Sequence, residues 1–116
     1  MSQRQIFITS FDLERLEELI AVAIEFRDHS RKDLDALEEE LSQAEVVEPQ
    51  KMPPDVVTMN SKAVLRDLDT SKEMVYRLVF PKDADIDSGA ISVLAPVGTA
   101  ILGYREGDVI EPIFLS

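Results

Sequence analysis

Apolar residues fall at Leu13, Leu16, Ile20 and Ala23, and after a break at Leu34, Leu37, Leu41 and Ala44. Steps of three and four residues place each set on one face of an α-helix, and two such faces in succession predict a short antiparallel helical hairpin with a coiled-coil seam. Each helix carries a start signal. Thr9 stands three residues before Asp12 and Ser30 three before Asp33, so each hydroxyl can accept from an N-terminal amide while the carboxylate faces the positive helix end. The turn falls near Asp28 and His29. Each arm is roughly 14–18 residues, or about 20–27 Å long. Leu19, Val22 and Phe26 lie beside the first seam, where they can pack on a second domain or on a partner.

The helical pattern stops at EPQKMPP, residues 48–54, where three prolines make a stiff connector. The organisation expected is a hairpin over 1–48, a Pro-rich linker over 49–54 and a β-rich module over 55–116. In that module Met74, Tyr76, Leu78 and Phe80 alternate with Val75, Arg77 and Val79, as in a strand with one apolar face. VVTMNSKAVLRDL before it is also β-rich, and DLDTSKE reads as the hairpin turn between them. Further strands are expected at Ile91–Leu94 and Asp108–Leu115. Between these, Pro96 suits a first helical position and Gly103 a helix end, which predicts one short helix over Pro96–Leu102. The fold class is α+β.

Charge and composition narrow the partners. The chain of 116 residues carries 23 acids against 12 bases, a formal charge of −11. Nucleic-acid affinity comes largely from Lys and Arg releasing counterions, so direct binding to a phosphate backbone is not expected and a protein partner is. The acidity is concentrated: residues 10–48 hold 13 acids and 4 bases, and residues 49–116 hold 10 acids and 7 bases. No cysteine is present, which rules out disulfides and thiolate metal sites within the chain. The start MSQRQIFITSFD lacks the plan of a signal peptide and no apolar run approaches the ~20 residues of a membrane span, so a cytoplasmic protein that does not enter membranes is expected.

Candidate chemistry is sparse. The lone His29 at a polar turn reads as solvated. Asp83, Asp85 and Asp87 alternate like the start of a calcium loop, but Gly89 comes one residue late and Leu94 stands where the closing Glu is needed, so the segment reads as a solvated acidic loop. Glu38, Glu39 and Glu40 read as a solvated helix face. No nucleophile with a supporting base and no Gly-rich phosphate loop can be assembled. Neither enzyme activity nor a cofactor or metal is expected.

Two stretches, VVEPQKMPPDVVTMNSK and LAPVGTAILGYREGD, together with the acidic helical start, resemble the Gre transcript-cleavage factors (GreA/GreB), and most closely their short-coiled-coil branch, the Rnk family of regulators of nucleoside diphosphate kinase. The resemblance implies an FKBP-like module, binding to RNA polymerase core near its secondary channel, and regulation of nucleoside diphosphate kinase, either directly or through transcription. It also implies a docking loop at Leu94, Ala95, Pro96, Val97 and Gly98 and a hairpin tip at Asp28, His29 and Asp33. In the docking loop Pro96 fixes φ, Gly98 keeps the surface bare, and Ala100, Ile101 and Leu102 anchor the helix on the sheet. Three departures stand out. The hairpin is far shorter than in Gre factors and its tip, RDHSRKD, mixes acids with bases, so cleavage stimulation is not expected. Leu94 and Ala95 replace the acid and serine that usually precede the proline. The module, ending at EPIFLS, is expected to be shortened. The alternative function is an FKBP-type peptidyl-prolyl isomerase, which depends on clustered aromatics; the module has no Trp and only Tyr76, Phe80, Tyr104 and Phe114.

Overall fold

The structure, a computed structural model, describes residues 6–26, 31–110 and 113–115. It is a mixed α+β fold. The chain enters through strand β1 (Phe7–Thr9) and passes directly into helix α1 (Ser10–Phe26). Helix α2 (Arg31–Gln43) follows, and then strand β2 (Glu45–Val47), which runs parallel to β1 with Phe7 opposite Glu45 and Thr9 opposite Val47. Neither three-residue strand is visible in the sequence pattern, because three residues are too few to show a period of two.

The periodic apolar positions of the two helices are buried in one cluster. Leu16 and Leu37 are wholly buried, with Ile20, Ala23, Leu34 and Leu41 beside them and Leu13 and Ala44 half-buried at the margin. The start of α1 is set by Thr9, whose Oγ1 accepts from the Asp12 N–H at 3.0 Å. That satisfies one of the amides that a helix start leaves unpaired. The corresponding start of α2 at Ser30, and the turn at Asp28 and His29, lie outside the described residues.

A short 3₁₀ turn at Pro49–Lys51 leads to the main sheet. Strands β3 (Lys62–Asp67) and β4 (Glu73–Val79) form an antiparallel hairpin, with Ala63 opposite Tyr76 and Leu65 opposite Met74. Its turn is closed by Asp67, whose Oδ1 accepts from the N–H groups of Asp69 and Thr70. Strand β5 (Ala90–Ser92) lies parallel to β4, and helix α3 (Pro96–Ile101) follows. Strands β6 (Val109–Ile110) and β7 (Ile113–Leu115) complete the order β5-β4-β3-β7-β6. Two strands differ from the expectation. The strand placed at Ile91–Leu94 ends at Ser92, with Val93 and Leu94 in the turn before α3. The strand placed at Asp108–Leu115 is two antiparallel strands, with Val109 opposite Phe114 and Ile110 opposite Ile113.

The apolar face of β4 is the one expected, with Leu78 buried and Met74 and Tyr76 half-buried. One cluster of buried side chains takes in both ends of the chain: Leu16, Ile20, Leu34 and Leu37 from the helices, and Leu65, Leu78, Val93, Ile101 and Leu102 from the sheet and α3. Backbone bonds join the same parts. Gly103, at φ +82°, accepts from the Phe7 N–H at 3.2 Å and donates to the Val57 carbonyl at 2.9 Å. A Cβ there would sit 2.8 Å from the Ile6 Cβ and 2.9 Å from the Phe7 carbonyl, so the position needs glycine for space as well as for φ.

Asp12 makes a further tie. It is buried, and its Oδ2 accepts from the Met59 N–H at 3.3 Å, 47 residues along the chain. Burial raises its pKa above the ordinary 3.8; the Met59 N–H, the charge of Arg15 and the hydrogen bond with Thr9 act in the opposite direction and only partly offset it.

Two outcomes are expected. Leu16→Ala should lower stability by about 2–5 kcal/mol, the usual cost of a large-to-small change in a packed core. Because the cluster is shared, helix signal and sheet fluorescence or NMR signals should be lost in one coincident transition; two separated transitions would show that the helices and the sheet unfold as independent units. The second outcome concerns pH. A raised folded-state pKa means the native state holds the Asp12 proton more tightly than the unfolded chain. Its stabilisation is therefore greatest below the unfolded value of 3.8 and is lost as pH rises through the folded value. Denaturant titrations from pH 3 to 7 should show the parent losing stability relative to Asp12→Asn across that window and running level above it. A parent that gains on the variant as pH rises would mean that the hydrogen bonds outweigh burial.

Candidate functional site

The segment Ser92–Leu102 is built outward from the sheet. Val93 is wholly buried and donates its N–H to the Val79 carbonyl at 2.9 Å. Ser92 then accepts twice: its Oγ from the Leu94 N–H and its carbonyl from the Ala95 N–H, both at 3.0 Å. These bonds turn the chain so that α3 begins at Pro96, where a missing N–H costs nothing and φ is already helical. Thr99, buried, donates its hydroxyl to the Val93 carbonyl at 2.6 Å and so ties the helix back to its own entry turn.

Gly98 has a different role from the bare surface expected of it. It is buried, and a Cβ placed on it would fall 2.1 Å from the Ser92 carbonyl oxygen and 3.2 Å from the Leu78 Cδ1. Its lack of a side chain lets α3 lie directly on the end of β5. Of the five residues assigned to the loop, Leu94 is buried in the core cluster, Ala95 and Val97 are half-buried, Pro96 is exposed and Gly98 is covered. The solvent side of the turn is therefore Ala95, Pro96 and Val97, a small apolar knuckle without a charged residue from Ser92 to Tyr104. Ile101 and Leu102 are 1% exposed and anchor α3, with Ala100 half-buried.

The REGD sequence that follows is a braced turn. Asp108 Oδ2 accepts from the Arg105 N–H at 2.8 Å, and the Arg105 guanidinium meets both carboxylate oxygens of Asp55 at 3.1 Å. It holds Asp55 against the turn that follows α3.

Of the three tip residues, Asp28 and His29 lie outside the described residues. Asp33 is half-buried in the first turn of α2, beside exposed Arg31 and Lys32. Arg31 pairs with Asp35 at 3.2 Å, both largely exposed, a pairing of small energetic weight. Further along α2, Glu38 and Glu39 are exposed and Glu40 half-buried; burial and the neighbouring Glu39 raise the Glu40 pKa. In the acidic loop, Asp85 Oδ1 accepts from the Asp87 N–H at 3.2 Å and caps a 3₁₀ turn at Ile86–Ser88. Among the described residues no group of three or more His, Cys, Asp or Glu is placed to hold a metal ion, and no helix is long and apolar enough to cross a membrane.

One arrangement escaped the sequence. Arg15 on α1 lies over the Phe80 ring, 4.3 Å from its centroid, and 5.0 Å from that of Phe11. Leu19 and Val22 beside it fall on the face left over by the seam, which the spacing does show. Its contact with Phe80, 65 residues away, has no local signal.

The C-terminal domain of the transcription elongation factors GreA/GreB matches residues 52–114, and the Rnk N-terminus matches residues 4–47. A regulator of nucleoside diphosphate kinase from Escherichia coli K12 is 39% identical over 112 residues, covering 96% of this chain and 79% of that protein. The elongation factor GreA of Orientia tsutsugamushi (strain Boryong) is 43% identical over 77 residues, which is 66% of this chain and 48% of that factor. The solved structure of a GreA/GreB elongation factor from Nitrosomonas europaea superposes with a TM-score of 0.74 at 45% identity, covering 91% of this chain and 83% of that one. With both parts of the sequence matched in order and the fold shared over nearly its whole length, the chain belongs to the GreA/GreB family, in the branch that carries an Rnk-type N-terminus.

Proposed function

We propose that this chain is a cytoplasmic transcription regulator, not an enzyme, that binds bacterial RNA polymerase core near the secondary channel and competes there with Gre factors without stimulating transcript cleavage. The observation that carries this reading is the likeness to the Nitrosomonas elongation factor over 91% of the chain. In the proposal residues 1–48 form a short hairpin directed into the channel, 49–54 the linker, and 55–116 an FKBP-like module that docks outside through Leu94–Gly98. Regulation of nucleoside diphosphate kinase, in level or activity, follows as a consequence of that binding or as a separate contact. The tip acids Asp28 and Asp33, with His29, have no part in metal chemistry.

Two features support the division of labour. The knuckle at Ala95–Val97 is apolar and rigidly backed by Ser92, Thr99 and Gly98, which suits docking by shape. Helices of 17 and 13 residues extend about 25 Å and 20 Å, short for carrying carboxylates to a deeply placed metal. The isomerase alternative gains nothing from the aromatics. Tyr76 is half-buried with its hydroxyl 3.6 Å from the Met74 sulfur, and Phe80 lies under Arg15 on a different cavity, so the two do not come together in one aromatic pocket.

Pro96→Asp should weaken binding to polymerase core at least tenfold, since a charge placed in a closed apolar contact costs about 2–5 kcal/mol when left unpaired. The fold should survive, because Asp at a helix start faces the positive end of the dipole. Fluorescence anisotropy against core enzyme, with circular dichroism as control, measures both. Undiminished binding by Pro96→Asp would remove the loop from the interface.

In a backtracked elongation complex the chain alone should release no cleaved transcript end, and added in excess it should slow cleavage by a Gre factor. Robust cleavage abolished by Asp28→Ala would overturn the proposed role.

A further inference from the structure

Helix α1 has a second apolar face besides its seam. Arg15, Leu19 and Val22 stand at i, i+4 and i+7, and with Glu18, Phe80, Pro81 and Lys82 they line an open groove of about 670 Å³ where the helix meets the end of β4. Its floor is hydrophobic: Leu19 and Pro81 are half-buried, Val22 is 44% exposed, and the Phe80 ring is packed against the core. Phe11 adds an aromatic ring left 59% exposed at the near end.

The charges around this floor differ from those of the rest of the molecule. Arg15 and Lys82 face Glu18 alone along the lining, in a chain where acids outnumber bases 23 to 12. Asp12, the other acid near Arg15, is buried and engaged with the Met59 N–H. The guanidinium carbon of Arg15 rests over two aromatic rings, 4.3 Å from the Phe80 centroid and 5.0 Å from that of Phe11. No described residue accepts a hydrogen bond from its N–H groups. An arginine resting on aromatic rings gives up part of its rotamer freedom before a ligand arrives, so a carboxylate can be met at less further entropic cost.

The geometry points to an acidic amphipathic helix of a partner protein as the occupant of this groove. Apolar side chains of such a helix cover Leu19, Val22 and Pro81, while its carboxylates meet Arg15 and Lys82. The span from Arg15 to Val22, about 10 Å along α1, corresponds to about two turns of the incoming helix. A basic partner fits the exposed acids of α2 and not this site. The inference does not depend on the loop at Pro96 or on polymerase being the partner.

Amide NMR of the full chain tests it with two synthetic helical peptides, each with leucine at the a and d positions of two heptads and either glutamate or lysine elsewhere. The glutamate peptide should give saturable shifts at Arg15, Leu19, Val22 and Lys82. The lysine peptide should shift residues around Glu38 and Glu39 instead. Arg15→Glu and, separately, Val22→Asp should each weaken the glutamate peptide's binding about tenfold or more at unchanged circular dichroism. Val22 is exposed, so that variant reports on the groove even if Arg15→Glu disturbs the stack. Glutamate-peptide shifts that are absent or map elsewhere, equal occupation of the groove by the lysine peptide, or full binding by Val22→Asp would each overturn the assignment.

Discussion

The backbone of Gly103 is the point through which the N-terminal elements are fixed to the sheet. Its carbonyl takes the Phe7 N–H and its own N–H goes to Val57, so β1, the segment before β3, and the exit of α3 meet at one residue. The arrangement tolerates no side chain, because Ile6 and Phe7 occupy the space where a Cβ would stand. From this junction β1 fixes where α1 begins, and β2, paired alongside β1, fixes where α2 ends. Asp12 repeats the connection one helical turn further on, through Met59. The orientation of the helical pair against the sheet thus rests on backbone contacts as well as on the apolar cluster between them.

The same economy of space governs the other end of α3. Gly98 brings the helix onto the Ser92 carbonyl, and Thr99 locks the entry turn from inside. The exposed knuckle at Pro96 is consequently supported on every inward side by bonds that do not involve its own side chains. Substitutions on its surface can therefore change its chemistry without changing how it is held.

How far the sequence could be read depended on the length of each signal. Seams of four apolar positions identified α1 and α2, and an alternation of seven residues identified β4. Proline and glycine bracketed α3 to within one residue. The three-residue strands β1 and β2 fall below any period, and β6 and β7, of two and three residues, read together as one strand. Asp12 was legible as a helix-start acid from its spacing to Thr9, but its bond to Met59 depends on a fold that brings residue 59 beside residue 12. Gly98 differs from expectation for a similar reason: it was expected to keep the loop's surface bare, while the carbonyl it must clear, that of Ser92, belongs to a neighbouring strand. Spacing placed Leu19 and Val22 on a free face; the opposite wall of their groove comes from Phe80–Lys82, which no pattern within the helix could indicate.

The junction at Gly103 also orders events during synthesis. Phe7 and its acceptor are 96 residues apart, and a ribosome adding roughly 5–20 residues per second separates their emergence by about 5–20 s. Through that interval α1 and α2 can pair with each other, since their seam is local. The helical pair must therefore wait with one apolar flank uncovered until the last third of the chain arrives. During that wait the acids of residues 10–48, 13 against 4 bases, supply like-charge repulsion between nascent chains and protect them from association.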